Sequence, residues 1–97
     1  MSTIAERVDA GAAWLDNHYP RWVDRIDLDT LDLGNCTRCI GGQLAGLYVT
    51  FLRRHGLTFG DAFLLGFNVG MGGDYALLTA AWRELIATRR ATPGGAP

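Results

Sequence analysis

Lysine is missing from this chain of 97 residues: all nine of its basic residues are arginine. A Walker-type phosphate loop, which needs a Lys followed by a hydroxyl residue, is therefore excluded. The arginines nearly balance ten acidic residues, for a net charge of −1. No overall field draws the chain to nucleic acid or to anionic membranes, so neither is expected as a partner. Cysteine is almost as scarce. Two residues three positions apart, Cys36 and Cys39, cannot make a disulfide scaffold, and reduced thiols are expected. No uninterrupted apolar run approaches the roughly 20 residues that span a bilayer. The first residues lack the basic and apolar regions of a signal peptide. A cytoplasmic location is the expectation.

What is present belongs to a folded chain: 48% of the residues are hydrophobic and 20% charged. A domain this small buries only about 60–65% of the surface its unfolded chain exposes. Its core must rely on large rings, and three Trp and four Phe supply them. One helical domain is expected over residues 1–90, with 91–97, which lack periodicity, as a disordered tail.

Helical spacing predicts four helices. The first runs over 2–17, opened by a capping box at Thr3-Ile4-Ala5-Glu6, with Ile4, Val8, Ala12 and Leu15 on one face and Pro20 preventing continuation. The second and central one runs over 36–55, with Asn35 as N-cap and Gly56 beyond its end. Its stripe is Cys36, Ile40, Leu44, Leu47 and Phe51, and Gly42 and Gly46 let a neighbour approach. A short third helix begins at Thr58-Phe59-Gly60-Asp61, with Phe59, Phe63 and Phe67 every four residues. The fourth runs over 74–90, acidic at its start and ending on Arg89 and Arg90. Residues 21–35 alternate as a strand would at Ile26-Asp27-Leu28-Asp29, but no partner strand exists. They are read as an extended or 3₁₀ connector that docks Ile26, Leu28, Leu31 and Leu33 and turns its aspartates to water. The fold class is all-α: a small irregular or orthogonal four-helix bundle.

Cys36-Thr37-Arg38-Cys39 is the sharpest motif. A helix start and a neighbouring Arg both lower a thiol pKa. As a redox pair it lacks the βαβ context of thioredoxin-like proteins. As half of a zinc site it lacks a second closely spaced pair. On one continuous helix His55 stands about 28 Å from Cys36. The remaining reading makes both cysteines small buried packing residues. His18 and His55 each read as helix-end histidines that complement the dipole. The glycines from Gly70 to Gly73 read as a flexible turn. Asp24 to Asp32 do not match a calcium loop, which needs a central Gly and a Glu at the twelfth position. Arg53, Arg54, Arg83, Arg89 and Arg90 are too few for the phosphate contacts of a nucleic-acid site.

Trp14-Leu15-Asp16, Ile26 to Leu33 followed by Cys36 to Gln43, and Leu77 to Arg83 together resemble a group of short proteins encoded by actinobacteriophages and related prophages. The resemblance spans most of the chain and is one of general pattern, without a catalytic signature. The lack of Lys, with abundant Ala, Gly, Leu and Asp, fits the same GC-rich origin. The resemblance implies expression in an actinobacterial host and carries no established activity. Short phage proteins of this type often bind host machinery or counter host defence. The expected function is a non-enzymatic binding module, a phage accessory protein that engages a host or phage protein and needs no cofactor. Its expected contact surface is Tyr19, Trp22, Asp24, Asp27 and Asp29, because aromatics are favoured in interface cores. The alternatives are a zinc- or redox-linked protein using Cys36 and Cys39, and a structural homodimer or minor virion component meeting through the Gly42 and Gly46 face.

Overall fold

Thr3 opens the first helix with a reciprocal cap: its hydroxyl accepts from the Glu6 amide at 3.1 Å, and its own amide donates to the Glu6 carboxylate at 2.8 Å. The computed structural model describes residues 3–92, and within them the chain is all-helical, with no strand. Helix α1 spans Ile4–His18, α2 Trp22–Arg25, α3 Ile40–Ala45, α4 Tyr48–His55, α5 Phe59–Leu64 and α6 Tyr75–Arg90. The expected tail falls mostly on 93–97, outside the described residues. The Cα radius of gyration, 12.4 Å, is that of a folded chain of this length, about 12–13 Å.

Six helical segments replace the four expected, for two local reasons. The predicted connector contains α2, which begins after Arg21 takes a left-handed conformation at φ 61°. The predicted central helix is broken. Gly46, at φ 92°, ends α3 and returns its N–H to the Gly42 carbonyl, and extended Leu47 starts α4. The reading of Gly46 as a packing glycine is corrected, since a Cβ there would meet open space. Gly41 takes the packing role: a Cβ on it would stand 2.8 Å from the Phe51 ring, so α4 folds back closely onto α3. The break also turns Leu47 outward and leaves Cys36 before the helix, exposed rather than on its stripe.

Helix α1 lies on α6, and α5 packs on α1. Of the expected α1 face, Val8, Ala12 and Leu15 are buried and Ile4 is partly buried, and Leu78, Trp82 and Ile86 of α6 are buried. Trp82 sits at the centre. Its ring stacks on Phe67 with centroids 5.8 Å apart, and Trp22 meets it edge-on at 5.8 Å. Its indole N–H donates to the Gly66 carbonyl at 2.7 Å, satisfying a buried pair. The turn bearing that carbonyl is pressed against α1, because Gly11 has no side chain.

The connector docks Ile26, Leu31 and Leu33 in the core and half-buries Leu28, as expected. It is a chain of turns rather than an extended strap. The Asp27 carboxylate accepts from the Asp29 amide and that of Asp32 from the Gly34 amide, the local bonds that favour Asp in turns. Gln43 clamps it from α3, accepting from the Asp27 amide and donating to the Asp27 and Arg38 carbonyls. Thr79 accepts from the Leu33 amide. Arg90 of α6 donates to the Val23 and Ile26 carbonyls. Arg89 pairs with Asp16 at 2.7 Å. The two arginines at the end of α6 thus hold α1 and α2 rather than forming a basic patch.

Gly11→Ala tests this packing by opposing two effects. Ala is favoured over Gly in a helix interior by about 1 kcal/mol. A Cβ at Gly11, however, would stand 1.9 Å from the Leu65 carbonyl oxygen, a backbone atom. Overpacking of this kind costs about 1–3 kcal/mol. Urea unfolding should show net destabilisation of Gly11→Ala, whereas Gly60→Ala, where a Cβ meets nothing nearer than 3.7 Å, should be neutral or stabilising.

Candidate functional site

The expected contact aromatics are core residues. Trp22 is 1% exposed and donates its indole N–H to the Asp16 carboxylate at 2.9 Å. Partial burial pushes the Asp16 pKa up, but the hydrogen bonds from Arg89 and Trp22 and the Arg89 charge outweigh it and hold the carboxyl below its usual range. Tyr19 is 9% exposed and stacks on Phe51. Neither offers a surface to a partner, and that expectation is corrected. A sequence window shows that an aromatic lies in an irregular segment, not that the segment docks it inward. Asp24, Asp27 and Asp29 do face water.

The cysteines differ from one another. Asn35 caps a turn rather than a helix, its carbonyl side chain accepting from the Thr37 and Arg38 amides. The Cys39 amide closes that turn onto the Asn35 carbonyl. Cys36 is exposed, whereas Cys39 is 2% exposed, and both thiols are free. Cys39, not Asn35, is the N-cap of α3, its sulfur accepting from the Gly42 amide at 3.2 Å. Burial pushes the Cys39 thiol pKa up, against the backbone hydrogen bonds that lower it. The sequence expectation of lowered thiol pKa values is thus corrected at Cys39, and the packing reading holds for it and not for Cys36. Among the described residues no group of three or more His, Cys, Asp or Glu converges on one point.

The histidines, at the ends of two separate helices, meet. The ends of α1 and α4 bring their rings to 5.6 Å, edge to face. His18 stacks on Trp14 at 3.9 Å and contacts the Trp14 carbonyl through Nδ1 at 2.8 Å, so Nδ1 carries the proton. The Tyr19 hydroxyl lies 2.7 Å from His55 Nε2, and Arg25 stands over the Tyr19 ring. The His55 pKa is lowered, first by burial, then by the charges of His18 and Arg54. This cluster anchors helix ends. Its one legible sign was that each histidine closes a helix.

The arrangement best suited to recognition lies elsewhere, where α5, the loop over 65–74 and the start of α6 enclose an open groove of about 680 Å³. Phe59, Phe63, Val69, Met71 and Tyr75 line it. Phe59 is 69% exposed and Met71 wholly so. Asn68 supports the groove from beneath: it donates to the Tyr48 hydroxyl and the Phe59 carbonyl and accepts from the Gly70 amide. Gly70 and Gly72, at φ 67° and 80°, turn the loop so that Met71 projects. The sequence showed the recurrence Phe59, Phe63, Phe67. It did not show that α5 stops at Leu64, which sends Phe67 into the core and leaves Phe59 outside. A second groove, between α1 and α6, holds about 440 Å³ and is lined in part by charged Asp9, Glu84 and Arg89.

Because folding lowers the His55 pKa below its ordinary 6.5, the fold favours neutral imidazole. That contribution is whole above the unfolded pKa and is lost as pH falls through it toward the folded value. Urea midpoints should therefore fall from about pH 7.5 to about pH 5.5. His55→Gln should flatten that part of the profile, and an unchanged slope would remove His55 as its source.

Comparison with protein-family models, with curated proteins and with solved structures finds no match to this chain.

Proposed function

We propose that this chain is a small non-enzymatic binding module, a phage or prophage accessory protein that engages a host protein in the cytoplasm through the groove between α5 and α6. The observation that carries the reading is the grouping of Phe59, Phe63, Met71 and Tyr75 around one concavity. Folding does not by itself favour so exposed an arrangement. Scattered apolar residues are ordinary on a protein surface, whereas a contiguous apolar patch marks a contact site. Met adds an adaptable surface that can fit more than one side chain. The complementary feature on the partner is a ridge of apolar side chains, such as one face of an amphipathic helix. No helix among the described residues is long and apolar enough to cross a membrane.

The contact surface differs from the one first expected. The acidic connector residues Asp24, Asp27 and Asp29 remain exposed, but the two aromatics expected to join them, Tyr19 and Trp22, are inside.

Phe59→Asp and Met71→Asp should abolish capture of the host partner while shifting stability by no more than about 0.5 kcal/mol, as is usual for exposed positions. Asp24→Ala and Asp29→Ala should leave capture intact. Affinity capture from host lysate, with a thermal melt of each variant, measures both. Equal recovery by wild type and both groove variants sinks the groove, and no specific partner for wild type sinks the module. A dimer in light scattering that Met71→Asp dissociates would replace the host partner by a second copy.

A further inference from the structure

The Cys-x-x-Cys turn has a division of roles that the binding reading does not use. We propose that Cys36 and Cys39 form a thiol–disulfide exchange site, in which exposed Cys36 takes up a small-molecule disulfide such as oxidised glutathione and buried Cys39 resolves it. The inference is independent of the groove. Cys36 is open to a reagent on the outer side of the turn, and Cys39 is shielded from one. The shielded thiol nevertheless lies against the residue it must reach, its sulfur 4.0 Å from the Cys36 carbonyl oxygen. The amides of Arg38 and Cys39 both bond the Asn35 carbonyl, so 35–39 winds as one helical turn. Residues three apart on such a turn carry Cβ atoms about 5–6 Å apart. A disulfide joins Cβ atoms at about 3.5–4.5 Å, so a small tightening of the turn closes the bond.

The chemistry balances without a further reactant. Cys36 gives its proton to water and its thiolate attacks one sulfur of the small disulfide. That S–S bond breaks, and one small thiolate leaves and takes up a proton. Cys39 then gives its proton to water and attacks Cys36 Sγ, expelling the second small thiolate. Two protein thiols are oxidised to one disulfide, and one small disulfide is reduced to two thiols. Its burial keeps Cys39 from the small disulfide and leaves it the second step, inside the turn.

Closure has a structural consequence. The Cys39 sulfur now accepts from the Gly42 amide and caps α3. Drawn toward Cys36 in a disulfide, it leaves that amide without its acceptor. The Cys36 carbonyl accepts from the Tyr48 amide at 2.8 Å, which ties the same turn to the start of α4.

The folded chain is incubated with mixtures of oxidised and reduced glutathione and read by intact mass. Wild type should lose two hydrogens. Cys39→Ser, which keeps an N-cap oxygen for Gly42, should stop as a stable adduct of one glutathione on Cys36. Cys36→Ser should stay unmodified. Amide exchange at Gly42 should be about tenfold faster in oxidised wild type. Adduct on Cys36→Ser at the rate seen for Cys39→Ser overturns the proposal, as does wild type that arrests at the adduct or never reacts. Unchanged Gly42 exchange in the closed form overturns the link to α3.

Discussion

The indole N–H of Trp82 and the carbonyl of Gly66 form the contact on which the rest of the structure is arranged. A buried donor or acceptor without a partner costs about 1–3 kcal/mol, so the loop after α5 must present its backbone to the middle of α6. Gly66 can do so because its φ of 72° suits glycine, and because Gly11 lets the loop press against α1. Once the loop is fixed, Phe67 stacks on Trp82 from one side and Trp22 meets it from another. Phe51, Trp14 and Tyr19 then continue the aromatic core from Phe67 to the ends of α1 and α4.

That core consumes the residues which sequence alone offered for recognition, and the same loop supplies their replacement. Having delivered Phe67 and Val69 inward, it must return to the surface before α6. Gly70 and Gly72 turn it there, so Met71 projects beside Phe59. The anchoring of the loop thus connects the packing of Trp82 to the surface proposed for binding. The cysteine turn lies on a different part of the molecule, built on Asn35 and tied to α3 and α4.

Much of the fold was legible in the chain. The boxes at Thr3-Glu6 and Thr58-Asp61, and the Asp74 cap of α6, are local, because each cap bonds an amide two or three residues away. The break at Gly46 was not. Glycine in the middle of a strongly periodic stripe is compatible both with a close contact and with a helix end, and only the packing of Phe51 on Gly41 selects the second. The destination of each aromatic was not legible either, because periodicity gives the face of an element but not which elements it faces.

The sequence by itself determined an all-helical class, the caps that open α1, α5 and α6, the inward docking of Ile26, Leu31 and Leu33, and the lack of lysine-dependent phosphate chemistry. Each follows from composition or from interactions reaching no more than one helical turn, apart from the docking, which the alternation of apolar and acidic residues implies. Only the tertiary structure decided that Trp22 and Tyr19 are inside and Phe59 and Met71 outside, that His18 and His55 meet, and that one cysteine is buried and its neighbour exposed. Those outcomes depend on contacts between residues far apart in the chain. The cysteines are the exception: Gly42 approaches the backbone of Cys36 and Thr37 only a turn or two before it, while Cys39 joins the core cluster and Cys36 stays on the rim.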